Sequence, residues 1–195
     1  MKRAVLALCL GLSLLLAAPV FAAEKGIMLP EPQTEGGMPL MDALKARQTN
    51  RAFSDAAIGE QDLSNILWAA WGVNRNDGRR TVPTAKNDQD MSVYVAMSNG
   101  VWLYNAGGHS LEQVLAEDAR AKLGGAPLTL LYAGPAKDPF APMHAGSMYQ
   151  NVGLYCAGAG LANVVKGTGA DALDKVLPLP RGYKVFIIQS IGHAK

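Results

Sequence analysis

Arg47-Gln48-Thr49-Asn50-Arg51 gathers two guanidinium groups, a hydroxyl and two amides within five residues, and Phe53 follows closely. Guanidinium groups bind phosphate and other oxyanions through paired, charge-assisted hydrogen bonds. The same residues also suit a solvated helix end, because basic side chains favour the negative C-terminal pole of a helix. A second polar stretch, Asn74 to Gln89, is broken by Gly78 and Pro83. Alone it reads as an exposed loop. Its small hydroxyl and amide groups could also border a polar ligand, since loops held by rigid elements often carry function. No residue is nominated as a general acid or base, and no metal site is nominated. Cys156 has no histidine or basic neighbour in sequence and reads as a buried small hydrophobe.

The elements that must position these groups follow from periodicity. Pro39 to Ala46 reads as a short helix with Pro39 at its first position and Leu40, Met41 and Leu44 on one face. Leu63, Ile66, Leu67, Ala70 and Trp71 recur at three- and four-residue steps, which predicts a helix buried on one face and ended by Gly72. Trp68 and Trp71 read as core or subunit contacts rather than a stacking platform. Met91 to Met97 alternates as a strand, Ser98-Asn99-Gly100 turns it, and Val101 to Asn105 returns. Ser110 and Gln113 stand at capping-box spacing, so a helix is expected from there to about Leu123, with His109 a polar residue beside its cap. Pro127 to Ala133 is a continuous apolar run, as a central strand requires. Ala145 to Val165, nearly uncharged and rich in Gly and Ala, is expected as one central helix that admits close backbone approach. A loop from Lys166 to Ala170, a short helix from Asp171 to Val176 and a last strand from Tyr183 to Ile191 complete the chain.

The 195 residues suffice for one domain with its own core, and a net charge of +2 gives no reason to expect a nucleic-acid surface. Residues 1–22 read as a cleaved signal peptide: Lys2 and Arg3, an apolar run from Ala4 to Ala18, then Val20-Phe21-Ala22 at the cleavage site. That run is short for a membrane span, so no stable membrane insertion is expected, and export would be to the periplasm of a Gram-negative cell. Residues 23–38, with Pro30, Pro32 and Gly36-Gly37, read as an extended arm, either disordered or lying over a partner subunit. Residues 39–195 form the domain, without internal repeats.

The order of these pieces resembles the nitroreductase family of flavin enzymes, in particular its short thiazole/oxazole-dehydrogenase-like branch. The resemblance runs from about Met38 onward and rests on four stretches. They are Arg47 to Phe53, Leu67-Trp68-Ala69-Ala70-Trp71-Gly72-Val73-Asn74-Arg75, Arg79 to Ala85, and Gln150-Asn151 leading to Gly160-Leu161. Threonine stands at 49 and 84 where the family pattern has serine. The resemblance implies an α+β fold, with a central, mostly antiparallel sheet flanked by helices. It further implies an intertwined homodimer with two FMN sites at the subunit interface. Arg47 and Thr49, with Gln48 between them, would hold the FMN phosphate. Arg51 would lie near the ribityl chain and the N1/O2 edge. Pro83, Thr84, Ala85 and Asn87 would come from the partner subunit to line the ring, and Lys195 is the candidate for a further phosphate contact. The implied activity is hydride transfer through flavin N5 to or from a small-molecule substrate. Export would separate the protein from most NAD(P)H and leave the electron donor unknown. The alternative is a non-catalytic ligand-binding or assembly protein on the same fold.

Overall fold

The structure, a computed structural model, describes residues 26–167 and 177–195. The expected signal peptide, the first residues of the arm and the helix expected at Asp171 to Val176 lie outside them.

The hairpin is as the alternation requires. β2 (Ser92–Met97) turns at Asn99 into β3 (Gly100–Asn105), where Gly100 takes φ +127. The chain does not then enter a helix. Ser110–Leu115 is strand β4, paired to β3, and only a 3-10 turn at Arg120–Leu123 is helical. The capping-box spacing misleads because Ser110, the expected cap, pairs with Asn105 of β3 and so opens a strand that extends that edge.

β5 (Leu128–Pro135) is an interior strand, paired on both edges and buried on both faces. The expected long helix is two elements. α3 (Ala141–Gly158) ends at the Gly158-Ala159-Gly160 stretch, Gly160 turns at φ +69, and Leu161–Lys166 departs as strand β6. The β-branched Val164 and Val165 fit a strand better than a helix. β7 (Tyr183–His193) then lies between β5 and β6.

The arm is not free. Gly26–Met28 forms edge strand β1 against β4 of the same chain. Beyond it, the Gln33 amide donates to the Asn65 side chain, and Pro30 is tied down by Ser64 and His109. His109 is thus a fold residue. Nε2 meets Pro30 O and Ser64 Oγ, and Nδ1 lies 2.8 Å from the Tyr104 hydroxyl.

All neighbours in the seven-stranded sheet, ordered β1-β4-β3-β2-β5-β7-β6, are antiparallel, which gives the expected α+β class. Helices α1 (Leu40–Ala46) and α2 (Glu60–Trp71) join α3 over one face. Pro39 is the N-cap of α1 and not its first residue. Alternate side chains divide the core. Val93, Val95, Leu130 and Tyr132 pack with Ile66, Leu67, Trp71 and Met148 on the helical side. Tyr94, Ala96, Leu131 and Ile188 pack with Leu123 and Leu177 on the other. Among the described residues no helix is long and apolar enough to cross a membrane.

Candidate functional site

Helix α1 ends at Arg47, whose amide donates to Ala43 O before the backbone turns extended. The next residues run across β6 and β7 as a backbone strap. The Asn50 amide donates to Asn163 O at 2.9 Å, and the Ser54 amide to His193 O at 2.9 Å. Phe53 bridges Ala194, and the Lys195 amide donates to Ala52 O. The strap uses main-chain bonds, so the side chains of Arg47, Gln48, Thr49 and Arg51 stay exposed. Neither arginine forms an ion pair among the described residues. Two glycines set the fit. A Cβ on Gly153 would lie 3.7 Å from Arg47 Cδ, so the arginine stem lies along α3. A Cβ on Gly192 would come within 3.1 Å of both the Phe53 ring and Pro127.

A buried polar chain supports the strap from beneath. Tyr132 OH donates to Gln189 Oε1 at 2.6 Å, and Gln189 Nε2 donates to Asn163 Oδ1 at 3.1 Å. Asn163 is the residue whose carbonyl receives the strap. Beside it lies a cavity of 260 Å³ lined by Gln48, Asn50, Cys156, Leu161, Asn163 and Ala194. Burial pushes the Cys156 thiol up to about 12, so it stays protonated and is no nucleophile.

The second group lies elsewhere. Thr84 accepts the Gln89 amide on Oγ1, and Ala85–Asn87 forms a 3-10 turn. Lys86, Asn87 and Gln89 take φ of +55, +59 and +49, each costing on the order of 1–3 kcal/mol in a non-glycine residue. Arg80 braces this loop. It donates to Gln89 Oε1 and to Trp71 O, and its guanidinium stacks on Trp71 at 5.1 Å. Ala85 itself donates to His144 Nε2 in the first turns of α3. His144 and Gly153 are nine residues apart on α3, about 14 Å along the axis. Within one chain the structure therefore brings Arg47, Gln48, Thr49, Arg51 and Lys195 together. Pro83, Thr84, Ala85 and Asn87 lie at the other half of α3.

His144, its neighbours Asp90 and Asp138, and the Tyr132–Gln189–Asn163 chain were not legible as site residues. Asp90 and His144 are 54 positions apart, and a lone histidine early in a helix carries no spacing signal.

Residues 44–193 match the model of the nitroreductase family. The chain belongs to that family. A candidate nitroreductase from Ralstonia eutropha JMP134 is 36% identical, with a TM-score of 0.83 over 90% of this chain and 92% of that one. A candidate nitroreductase of Methanocaldococcus jannaschii is 28% identical over 158 residues, covering 68% of this chain and 80% of that protein. A Bacteroides fragilis nitroreductase whose structure holds bound FMN shares the fold, with a TM-score of 0.57 at 16% identity over 80% of this chain and 88% of its own. Membership of the nitroreductase family supports a flavin oxidoreductase in general terms.

Proposed function

We propose that the protein is an FMN-dependent oxidoreductase that works as a homodimer and exchanges hydride with a small-molecule substrate. The observation that carries this reading is the strap. Two arginines without carboxylate partners, a threonine and the Lys195 end of the chain converge on a backbone fixed to β6 and β7. Free cations on a fixed backbone suit an anion, and a phosphate of up to two negative charges suits two or three of them. Arg47 and Thr49 would hold that phosphate beside Gln48, with Lys195 close by. Each charge-assisted bond would contribute about 1.5–3 kcal/mol. Arg51 would sit nearer the ribityl chain, where its fixed charge would favour negative charge at the N1/O2 edge. Bound FMN would supply the redox chemistry by accepting or delivering hydride at N5.

Pro83, Thr84, Ala85 and Asn87 would reach the ring from the second subunit. Their distance from the strap within one chain supports this. So does the outward face of α1, where Leu40 and Met41 are 63% and 74% exposed beside Met38 and Leu44. A contiguous apolar face of this kind is ordinarily covered by a partner. We place the protein in the periplasm on the character of residues 1–22. The electron donor there would be another redox protein, or the substrate itself would be oxidised.

Purified protein is expected to be yellow with a flavin spectrum, and Arg47→Ala with Arg51→Ala is expected to be colourless. Undiminished FMN in the double variant would refute the site. A colourless wild-type dimer that takes up no added FMN would instead mark a non-catalytic binding or assembly protein.

A further inference from the structure

His144 is 5% exposed, and its two ring nitrogens have different surroundings. Nε2 lies 2.9 Å from the Ala85 amide nitrogen. A backbone N–H only donates, so Nε2 must present its lone pair, and the neutral ring carries its proton on Nδ1. Nδ1 has no hydrogen-bond partner among the described residues, and neither has the buried Asp90 Oδ1. Asp138 Oδ2 is 4.0 Å from Nδ1, and one ligand-type atom from each of the three residues lies within 4.8 Å of the others.

Two carboxylates and an imidazole at this spacing invite a metal reading. The tautomer argues against it. A divalent cation would need the Nδ1 lone pair, and moving the proton to Nε2 would aim it at the Ala85 N–H. The cluster suits a species that accepts from Nδ1–H and donates to two carboxylates, which describes a water molecule. Through such a bridge, and by their negative charge, Asp138 and Asp90 keep the proton on Nδ1 and leave Nε2 free to accept.

Ala85 opens a turn whose next two residues, Lys86 and Asn87, both take left-handed φ. Such a conformation persists only where its surroundings over-determine it. The bonds from Gln89 to Thr84 and from Arg80 to Gln89 lie within residues 80–89. The His144 bond comes from another element, across 59 positions of sequence. We propose that His144, with its tautomer set by Asp138 and Asp90, is a positioning residue that holds the Thr84–Asn87 turn in the shape that receives the flavin. The ligand half of this rests on the flavin reading above; the clamp itself does not.

The test compares the full chain with His144→Gln, whose amide oxygen can accept the same N–H, and His144→Leu, which cannot. Amide hydrogen exchange of the 83–90 peptide is measured without flavin, and FMN affinity by quenching of flavin fluorescence. His144→Leu is expected to speed exchange in that peptide and weaken FMN binding, each by about five- to tenfold, the value of one hydrogen bond. His144→Gln is expected to restore both. Asp138→Asn, which can donate to Nδ1 and so favour the wrong tautomer, should repeat the exchange effect if the leucine variant does not fold. Wild-type exchange and affinity in His144→Leu would overturn the proposal. Stoichiometric Zn²⁺ binding by wild type that is lost in His144→Leu would overturn the tautomer on which it stands. Should wild type take up no FMN, the flavin reading and the ligand half fail together, and the exchange data alone decide the clamp.

Discussion

Gln189 is fully buried and bonded to three partners, so its replacement has a calculable consequence. Its Oε1 accepts from Tyr132 OH, and its Nε2 donates to Asn163 Oδ1 and, at 3.3 Å, to Tyr149 O. Gln189→Leu keeps roughly the volume but leaves the Tyr132 hydroxyl and the Asn163 carbonyl oxygen without these bonds. Each stranded buried group costs about 1–3 kcal/mol, so the variant should lose about 2–6 kcal/mol. At about 2–4 °C per kcal/mol for a domain of this size, the melting temperature should fall by roughly 5–20 °C. The decisive feature is a change of sign. In wild type, Tyr132→Phe strands the buried Gln189 Oε1 and should destabilise by about 1–3 kcal/mol. In the leucine background the same change removes a stranded hydroxyl, and should restore about 1–2 kcal/mol. Urea melts of the four proteins complete the cycle. If Tyr132→Phe lowers stability equally in both backgrounds, the buried chain beneath the strap is not coupled as described.

Gly192→Ala would push a Cβ to 3.1 Å from the rings of Phe53 and Pro127, which cannot swing aside as a flexible chain would. Overpacking of about 1–3 kcal/mol is expected in thermal melts, together with weaker FMN uptake, because Phe53 lies within the strap. His109 should make stability depend on pH. Burial holds its pKa below the ordinary value against the opposing pull of Pro30 O and Glu31, so the unfolded chain takes up the proton first. The stability carried by the neutral ring is complete above about pH 6.5 and is lost as pH falls from there toward the lowered folded value. Urea midpoints at pH 7.5 and pH 5 should differ more in wild type than in His109→Gln.

Much of the fold was readable because local and tertiary preferences agree. The Asn99-Gly100 hairpin, the apolar run at Leu128 and the helical face from Leu63 to Trp71 each carry a single interpretation. The errors arose where a local signal had two meanings. Ser110 and Gln113 mark a cap only if a helix follows, and here the open edge of β3 recruits the segment. The Gly- and Ala-rich composition after Ala145 conceals a boundary that Gly160 and the β-branched pair Val164 and Val165 would have marked. The arm reads as polar and proline-rich, yet Asn65, Ser64 and His109 reach it only once α2 and β4 are in place. At the site, the strap was legible because its chemistry is contiguous in sequence. The clamp on Ala85 was not, because Asp90, Asp138 and His144 meet only through the fold.

The most direct test is the visible spectrum and FMN content of the purified wild-type chain beside the Arg47→Ala, Arg51→Ala double variant. A flavin band with close to one FMN per chain in wild type, and its loss in a variant that is still folded, is the predicted result. Equal FMN in the two proteins, or none in wild type after FMN is added, would contradict the account.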